Sequence, residues 1–218
     1  MLKLNQYSHA FFDCDGVILD SNKIKSAAFA QALQGEEQKL IDEFLHYHQL
    51  NGGISRFVKF EYFFKIIKVQ KNYQKDLEKA LKNYSQLSYQ GLLACEEIIG
   101  VRKILSHLKA NNITSFVISG GEQEEVSKVL DRRNLKPYFA GIFGSPTNKK
   151  QHLNDISKAG TITKGIYFGD AKSDYEAASA FNLDFVYISG ASEWQDGIRF
   201  CEKLNIPLYN NFSNFYYV

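Results

Sequence analysis

His9-Ala10-Phe11-Phe12-Asp13-Cys14-Asp15-Gly16 is the stretch that decides how this chain is read. A short apolar and aromatic run ends in acids and then a glycine, the pattern of a buried strand that stops at a tight turn. Side chains alternate along a strand, so Asp13 and Asp15 share one side and Cys14 points the other way, into the core as a small hydrophobe. In an open parallel sheet, ligands bind outside the carboxyl ends of the strands, which is where both acids would lie. Two carboxylates this close repel each other unless a cation sits between them. A hard, oxygen-seeking ion such as Mg²⁺ suits that role.

Further along the chain, similar runs are predicted as strands at 114–119 (TSFVIS), 165–170 (GIYFGD) and 184–189 (DFVYIS), with a weaker one at 140–144 (AGIFG). Helical patterns separate them. Near-continuous apolar strands alternating with helices imply an α/β fold, a Rossmann-like parallel sheet covered on both faces. The interval after the first strand differs. It shows no strand pattern, and Phe57, Phe60, Phe63, Phe64 and Ile67 recur at helical spacing, as do Ala28, Leu33, Leu40, Ile41, Phe44 and Leu45. These stripes predict the core of a helical bundle. The expected organisation is a catalytic core from 1–21 and 92–218, with an all-helical cap inserted at 22–91.

Three more strand ends carry chemistry. Gly169-Asp170-Ala171-Lys172-Ser173-Asp174 brings two further carboxylates to the same sheet edge, although an aspartate there also caps a helix. Ser119-Gly120-Gly121 offers a hydroxyl and open backbone N–H groups ahead of a helix, an arrangement that binds phosphate. Lys149 and Lys150 follow Gly144-Ser145-Pro146 at another helix start.

Composition narrows the function classes. The formal charge is +2 and the lysines are scattered, which argues against nucleic-acid binding and fits a small anionic substrate. Cys14, Cys95 and Cys201 form no CxxC pair, as expected of a reducing cytoplasm. The start of the sequence has no signal-peptide pattern, and no apolar run is long enough for a membrane span. The expected location is therefore the cytoplasm, away from the membrane. Nothing in the sequence speaks to oligomeric state. The histidines are separated and suggest packing or surface roles; His46 and His48 do not share a helix face.

DCDGVILDS from Asp13, VISGG around Ser119, SPTNK ending at Lys149 and GDAKSD ending at Asp174 occur in one order along nearly the whole chain. This ordered set resembles the haloacid dehalogenase superfamily, in particular its helically capped branch of phosphoglycolate phosphatases and β-phosphoglucomutases. The resemblance implies a Mg²⁺-dependent phosphatase acting on a small phosphorylated metabolite, with sugar phosphates the first expectation. It implies Asp13 as the nucleophile and a metal ligand. Asp15 is then the general acid–base, with its carbonyl on the metal. Asp170 is the main carboxylate ligand, and Asp174 either supports the metal shell or orients the lysine. Ser119 and Gly120 hold the phosphoryl group, and Lys149, the better match to the pattern than Lys150, neutralises its charge. Gly52-Gly53-Ile54-Ser55-Arg56 is similar to a substrate-specificity loop of capped members. Arg56, assisted by Lys59, would lie over Asp13 and grip a remote phosphate, carboxylate or hydroxyl. A phosphomutase is the alternative, yet Lys25 stands where the mutase pattern has a histidine. Halide-cleaving members lack the second aspartate that Asp15 supplies here. A non-catalytic binding protein on the same fold would be expected to have lost a motif acid, and none is missing.

Overall fold

In the computed structural model, which describes residues 3–160 and 162–215, the opening apolar run forms β1 (His9–Phe12). The other strands are β2 (Thr114–Glu122), β3 (Gly141–Ser145), β4 (Gly165–Gly169), β5 (Asp184–Ile188) and β6 (Leu208–Tyr209). They make one six-stranded sheet in the order β3-β2-β1-β4-β5-β6. Every neighbouring pair is parallel. β1 lies inside the sheet, its Phe12 level with Val117 on one side and Phe168 on the other.

The pleat sorts the strand residues into two layers. Ala10, Phe12, Val117, Ile166, Phe168, Val186 and Ile188 face one core with Val101, Ile104 and Leu105 of α5 (Val101–Ala110) and Val126 and Val129 of α6 (Gln123–Arg132). Phe11, Ile118, Tyr167, Phe185 and Tyr187 face a second core with Leu153 of α7 (Lys149–Ala159), Ala177 of α8 (Lys172–Ala180) and Cys201 of α9 (Gly197–Lys203). Continuous apolar strands are therefore required, because both faces are dry. β6 has only two residues. It follows Pro207 and offers too short a run to announce itself in the sequence.

Four helices occupy the interval after β1: α1 (Asn22–Ala32), α2 (Gln38–Leu50), α3 (Arg56–Tyr62), which continues as a π-helical turn at Phe63–Ile67, and α4 (Gln74–Ala94). They enclose their own core of Phe29, Phe44, Phe60, Phe63, Phe64 and Tyr84. Phe57 departs from the expected stripe and is exposed. At about 100° per residue it falls on the flank of the face that Phe60, Phe63, Phe64 and Ile67 present. The segments entering and leaving this unit run antiparallel beside each other, paired at Leu19 and Glu97. Hydrogen bonds from Asp20 N to Glu96 O and from Ile98 N to Ile18 O, both 2.9 Å, hold them together. Among the described residues no helix is long and apolar enough to cross a membrane.

Candidate active site

β1 delivers Asp13 to the carboxyl edge of the sheet, where its backbone N–H donates to Phe168 O at 2.9 Å. The chain then turns through Gly16 at φ 76°, a left-handed conformation. A side chain there would collide with Asp170 and Asn22, so glycine is required twice over. β4 ends beside it and carries Asp170, and Asp174 follows in the first turn of α8. Oxygens of Asp13, Asp170 and Asp174 lie within 4.8 Å of one another, and all three residues are buried.

Lys149 is the first residue of α7, whose N-cap Asn148 accepts from Gln151 N at 2.9 Å. Its ammonium lies 2.5 Å from Asp174 Oδ1 and 3.0 Å from Asp13 Oδ1. Lys149 is buried while Lys150 is exposed, so only the former reaches the acids. Asp174 is fully engaged: it also accepts from Tyr167 Oη at 3.1 Å and from the backbone N–H groups of Ala171 and Asp170 at 3.0 and 3.3 Å. It thus holds the lysine in place. Asp13 differs. Its buried Oδ1 faces the Lys149 ammonium at 3.0 Å and has no other donor. Burial pushes the Asp13 carboxyl up to about 7 against the pull of Lys149, with Asp174 and Asp15 adding to the rise. Burial, then Asp13 and Asp174, push Asp170 well above the carboxylate range. One ammonium does not balance three buried carboxylates, and the excess negative charge on hard oxygens fits a divalent cation such as Mg²⁺.

Asp15 stands apart from this cluster. Its carboxylate accepts from Lys25 Nζ at 2.5 Å and from Ser21 Oγ at 2.6 Å. Burial works to raise its pKa, but Lys25 and then Ser21 outweigh it and hold Asp15 ionised. Ser119 is buried, and its Oγ accepts from Gly121 N at 3.0 Å, which leaves the hydroxyl proton free to donate. Cys14 is buried as expected, its thiol pushed well up by burial.

The helical unit closes over this edge. Gly52 O accepts from Ser173 Oγ at 2.9 Å, a side chain at Gly120 would collide with the Gly53 backbone, and one at Gly53 would collide with Ser173. Beneath the loop is a cavity of about 70 Å³ whose wall includes Asp13, Asp15, Gly120, Lys25, Arg56 and Lys59. Arg56 opens α3, capped by Ser55. Its guanidinium, expected to reach toward a ligand, is instead committed: it grips Glu125 of α6 with both terminal nitrogens, donates to Ser85 Oγ at 3.0 Å and lies over the Tyr84 ring at 4.6 Å. Lys59 Nζ lies 2.7 Å from His48 Nδ1.

Several of these residues escaped the sequence reading. Asn22 donates to Asp170 Oδ2 at 2.6 Å and to Ala191 O at 2.9 Å. Glu125, His48 and Glu193 belong to no motif; the fold alone brings them to the cleft. Asn22 had one available signal, its place immediately after the DCDGVILDS run.

Residues 10–188 match the family model described as haloacid dehalogenase-like hydrolase. No match to a curated protein was found. Among solved structures, a predicted phosphoglycolate phosphatase from Haemophilus somnus is similar at 14% identity and TM-score 0.77, over 97% of each chain. CbbY from Rhodobacter sphaeroides, in complex with phosphate, is similar at 12% identity and TM-score 0.71, over 95% of this chain and 96% of that one. The magnesium-bound hydrolase YfnB from Bacillus subtilis is similar at 18% identity and TM-score 0.61, over 84% and 88%. At these identities the likenesses establish the fold.

Proposed function

The chain belongs to the haloacid dehalogenase-like hydrolases, and we propose that it hydrolyses a small phosphate monoester through a phosphorylated Asp13. The observation that carries this is the Asp13 carboxylate: the residue lines the cavity, and its buried Oδ1 has no neighbour to balance it but the Lys149 ammonium at 3.0 Å. A nucleophile needs a carboxylate that few donors occupy, and the adjacent cation favours its ionised form against the burial that raises its pKa.

Asp13, Asp170 and the Asp15 carbonyl would hold Mg²⁺, with Asp174 serving through Lys149. When bound, the ion neutralises phosphoryl charge and offsets the repulsion among the acids. The chain's own residues then act as follows. Ser119 Oγ and the N–H of Gly120 hold phosphoryl oxygens, and Lys149 balances the charge that builds on them. An Asp13 oxygen bonds to phosphorus as the bond to the leaving oxygen breaks, and Asp15 gives that oxygen its proton. Asp15 acquires this proton when a dianionic phosphoryl group enters beside it, since a nearby negative charge raises its proton affinity. In the second step water attacks phosphorus, Asp15 takes the water proton, and Asp13 is released with inorganic phosphate. Lys25 and Ser21 fix Asp15 for both transfers.

The helical unit, read as a cap over 22–91, must swing away to admit substrate and return to exclude water. The hinges would lie at Ser21 and just beyond the end of α4. The cavity under the loop is about 70 Å³, and a site covered in this way suits a small metabolite better than a polymer. The test is phosphate release over a panel of small phosphate esters with Mg²⁺, using the wild type and Asp13→Asn. Hydrolysis by the wild type and none by Asp13→Asn is expected; undiminished turnover by the variant would remove Asp13 from the chemistry.

A further inference from the structure

We infer that Asn22 is a positioning residue that confines Asp170 to one free oxygen, and that this makes the acidic site select Mg²⁺ over Ca²⁺; the inference rests on the metal-dependent reading above. Asn22 is the first residue of α1, and its side chain crosses to the loops that follow β4 and β5. Nδ2 donates to Asp170 Oδ2 at 2.6 Å and to Ala191 O at 2.9 Å. Both of its protons are used, and this fixes the amide orientation, because a flipped amide would set its oxygen against a carboxylate and a carbonyl. The bond to Asp170 passes over Gly16, where a Cβ would overlap both Asp170 Oδ2 and Asn22 Nδ2.

The backbone of Asp170 is pinned as well. Its carbonyl accepts from Ser192 Oγ at 2.6 Å, and its N–H donates to Asp174 Oδ2 at 3.3 Å. Rotation of the carboxylate is the freedom that remains, and the Asn22 bond removes it. Oδ1 is then the oxygen of this buried acid that is left to a ligand. A carboxylate that gives one oxygen suits Mg²⁺, which is small, demands octahedral geometry and keeps several waters. Ca²⁺ takes about six to eight oxygens and gains from a carboxylate that gives both. Without Asn22, Oδ2 would be a buried acceptor that has lost its donor, and turning toward the ion is the way to satisfy it. That movement favours the ion with room for more ligands.

The test is calorimetric titration of the metal-free protein with MgCl₂ and with CaCl₂, without substrate, for the wild type, Asn22→Ala and Asn22→Ser. The serine hydroxyl is one bond shorter than the amide, so it keeps a polar group at the helix start and still falls short of Asp170. Thermal denaturation of the metal-free proteins checks the fold of each. The ratio of the Ca²⁺ to the Mg²⁺ dissociation constant should fall by at least about tenfold in both variants, through tighter Ca²⁺ binding, the scale of one hydrogen bond to a charged group. Ca²⁺ should accordingly inhibit Mg²⁺-supported turnover of the variants at about tenfold lower concentration. A ratio that stays unchanged because both ions weaken equally, or that falls through weaker Mg²⁺ binding alone, would make Asn22 merely structural; it would overturn the inference and leave hydrolysis standing. The expected shift without phosphate release from any ester would retain the role of Asn22 and refute hydrolysis. No binding of either ion to the wild type would overturn the inference together with the metal site.

Discussion

Arg56→Ala is the substitution that separates the two roles open to the arginine at the cleft. The guanidinium is 3% exposed and the Glu125 carboxylate 7%. Removing it leaves Glu125 buried, with Ser88 Oγ at 3.0 Å as the side-chain donor that remains. Breaking a buried ion pair by deleting one partner costs about 3–5 kcal/mol, because the other charge is stranded. For a chain of this size each kcal/mol moves Tm by roughly 2–4 °C, so the expected drop is about 6–20 °C. Replacing both partners, as in Arg56→Met with Glu125→Leu, should cost about 1 kcal/mol or less, since no charge is left behind. The assay is urea or thermal denaturation of wild type, both single variants and the double variant, with kcat/KM on a good substrate and on p-nitrophenyl phosphate alongside. The pair ties α3 to α6 across the cleft, so activity should fall by similar factors on both compounds. If Arg56→Ala unfolds within about 1 kcal/mol of wild type and loses activity on the specific substrate alone, the arginine is a substrate ligand and the strut argument fails.

Other outcomes follow from the same geometry. Asp13→Asn should abolish turnover and keep the fold, shown by absent phosphate release with an unchanged circular dichroism spectrum. Chelation should stop turnover and Mg²⁺ restore it, with Ca²⁺ inhibiting because its looser coordination displaces Asp13; full activity under excess chelator would exclude a metal site. Mg²⁺ should also raise Tm in the wild type and fail to do so in Asp170→Asn, since the shift measures binding to the folded state. His48 is held down to about 2 by burial, then by Lys59 and Lys25, so it folds neutral. Its folded pKa lies below its unfolded one, so its stabilisation is complete above about pH 6.5 and is lost as pH falls. Between pH 6.5 and 5 the loss is about 2 kcal/mol, and His48→Asn should flatten that part of the stability curve; parallel curves for the two proteins would show that His48 is not buried neutral.

Asp13, Asp15, Lys149, Asp170 and Asp174 were legible because each lies just beyond the end of an apolar strand, and Ser119 because it closes the apolar run of β2, whose register shifts between Ile118 and Glu122. The period of the strand and the glycine turn announce such a position locally, and a parallel sheet gathers all strand ends at one edge. The helical interval was legible for a similar reason, since Phe60, Phe63 and Phe64 repeat at the spacing of a helix face. Phe57 shares that spacing and is exposed, because periodicity names a face and not how far the neighbouring helices cover it. The choice between Lys149 and Lys150 also needed coordinates: adjacent helical residues point about 100° apart, and which direction meets Asp13 depends on how α7 is rotated against the sheet.

The sequence by itself therefore determined the parallel-sheet fold, the inserted helices and the acids at the strand ends, all of which rest on interactions among near neighbours in the chain. Tertiary structure alone decided the charge pairing. Lys25 found Asp15, Arg56 found Glu125, Asn22 found Asp170, and Lys59 was left facing His48. These partners come from different elements, and their energies depend on burial and on distances set by how the helices pack over the sheet. A charge in a linear sequence looks alike whether it will be balanced or stranded, because the dielectric and the counter-charge that distinguish the two exist only once the chain has folded.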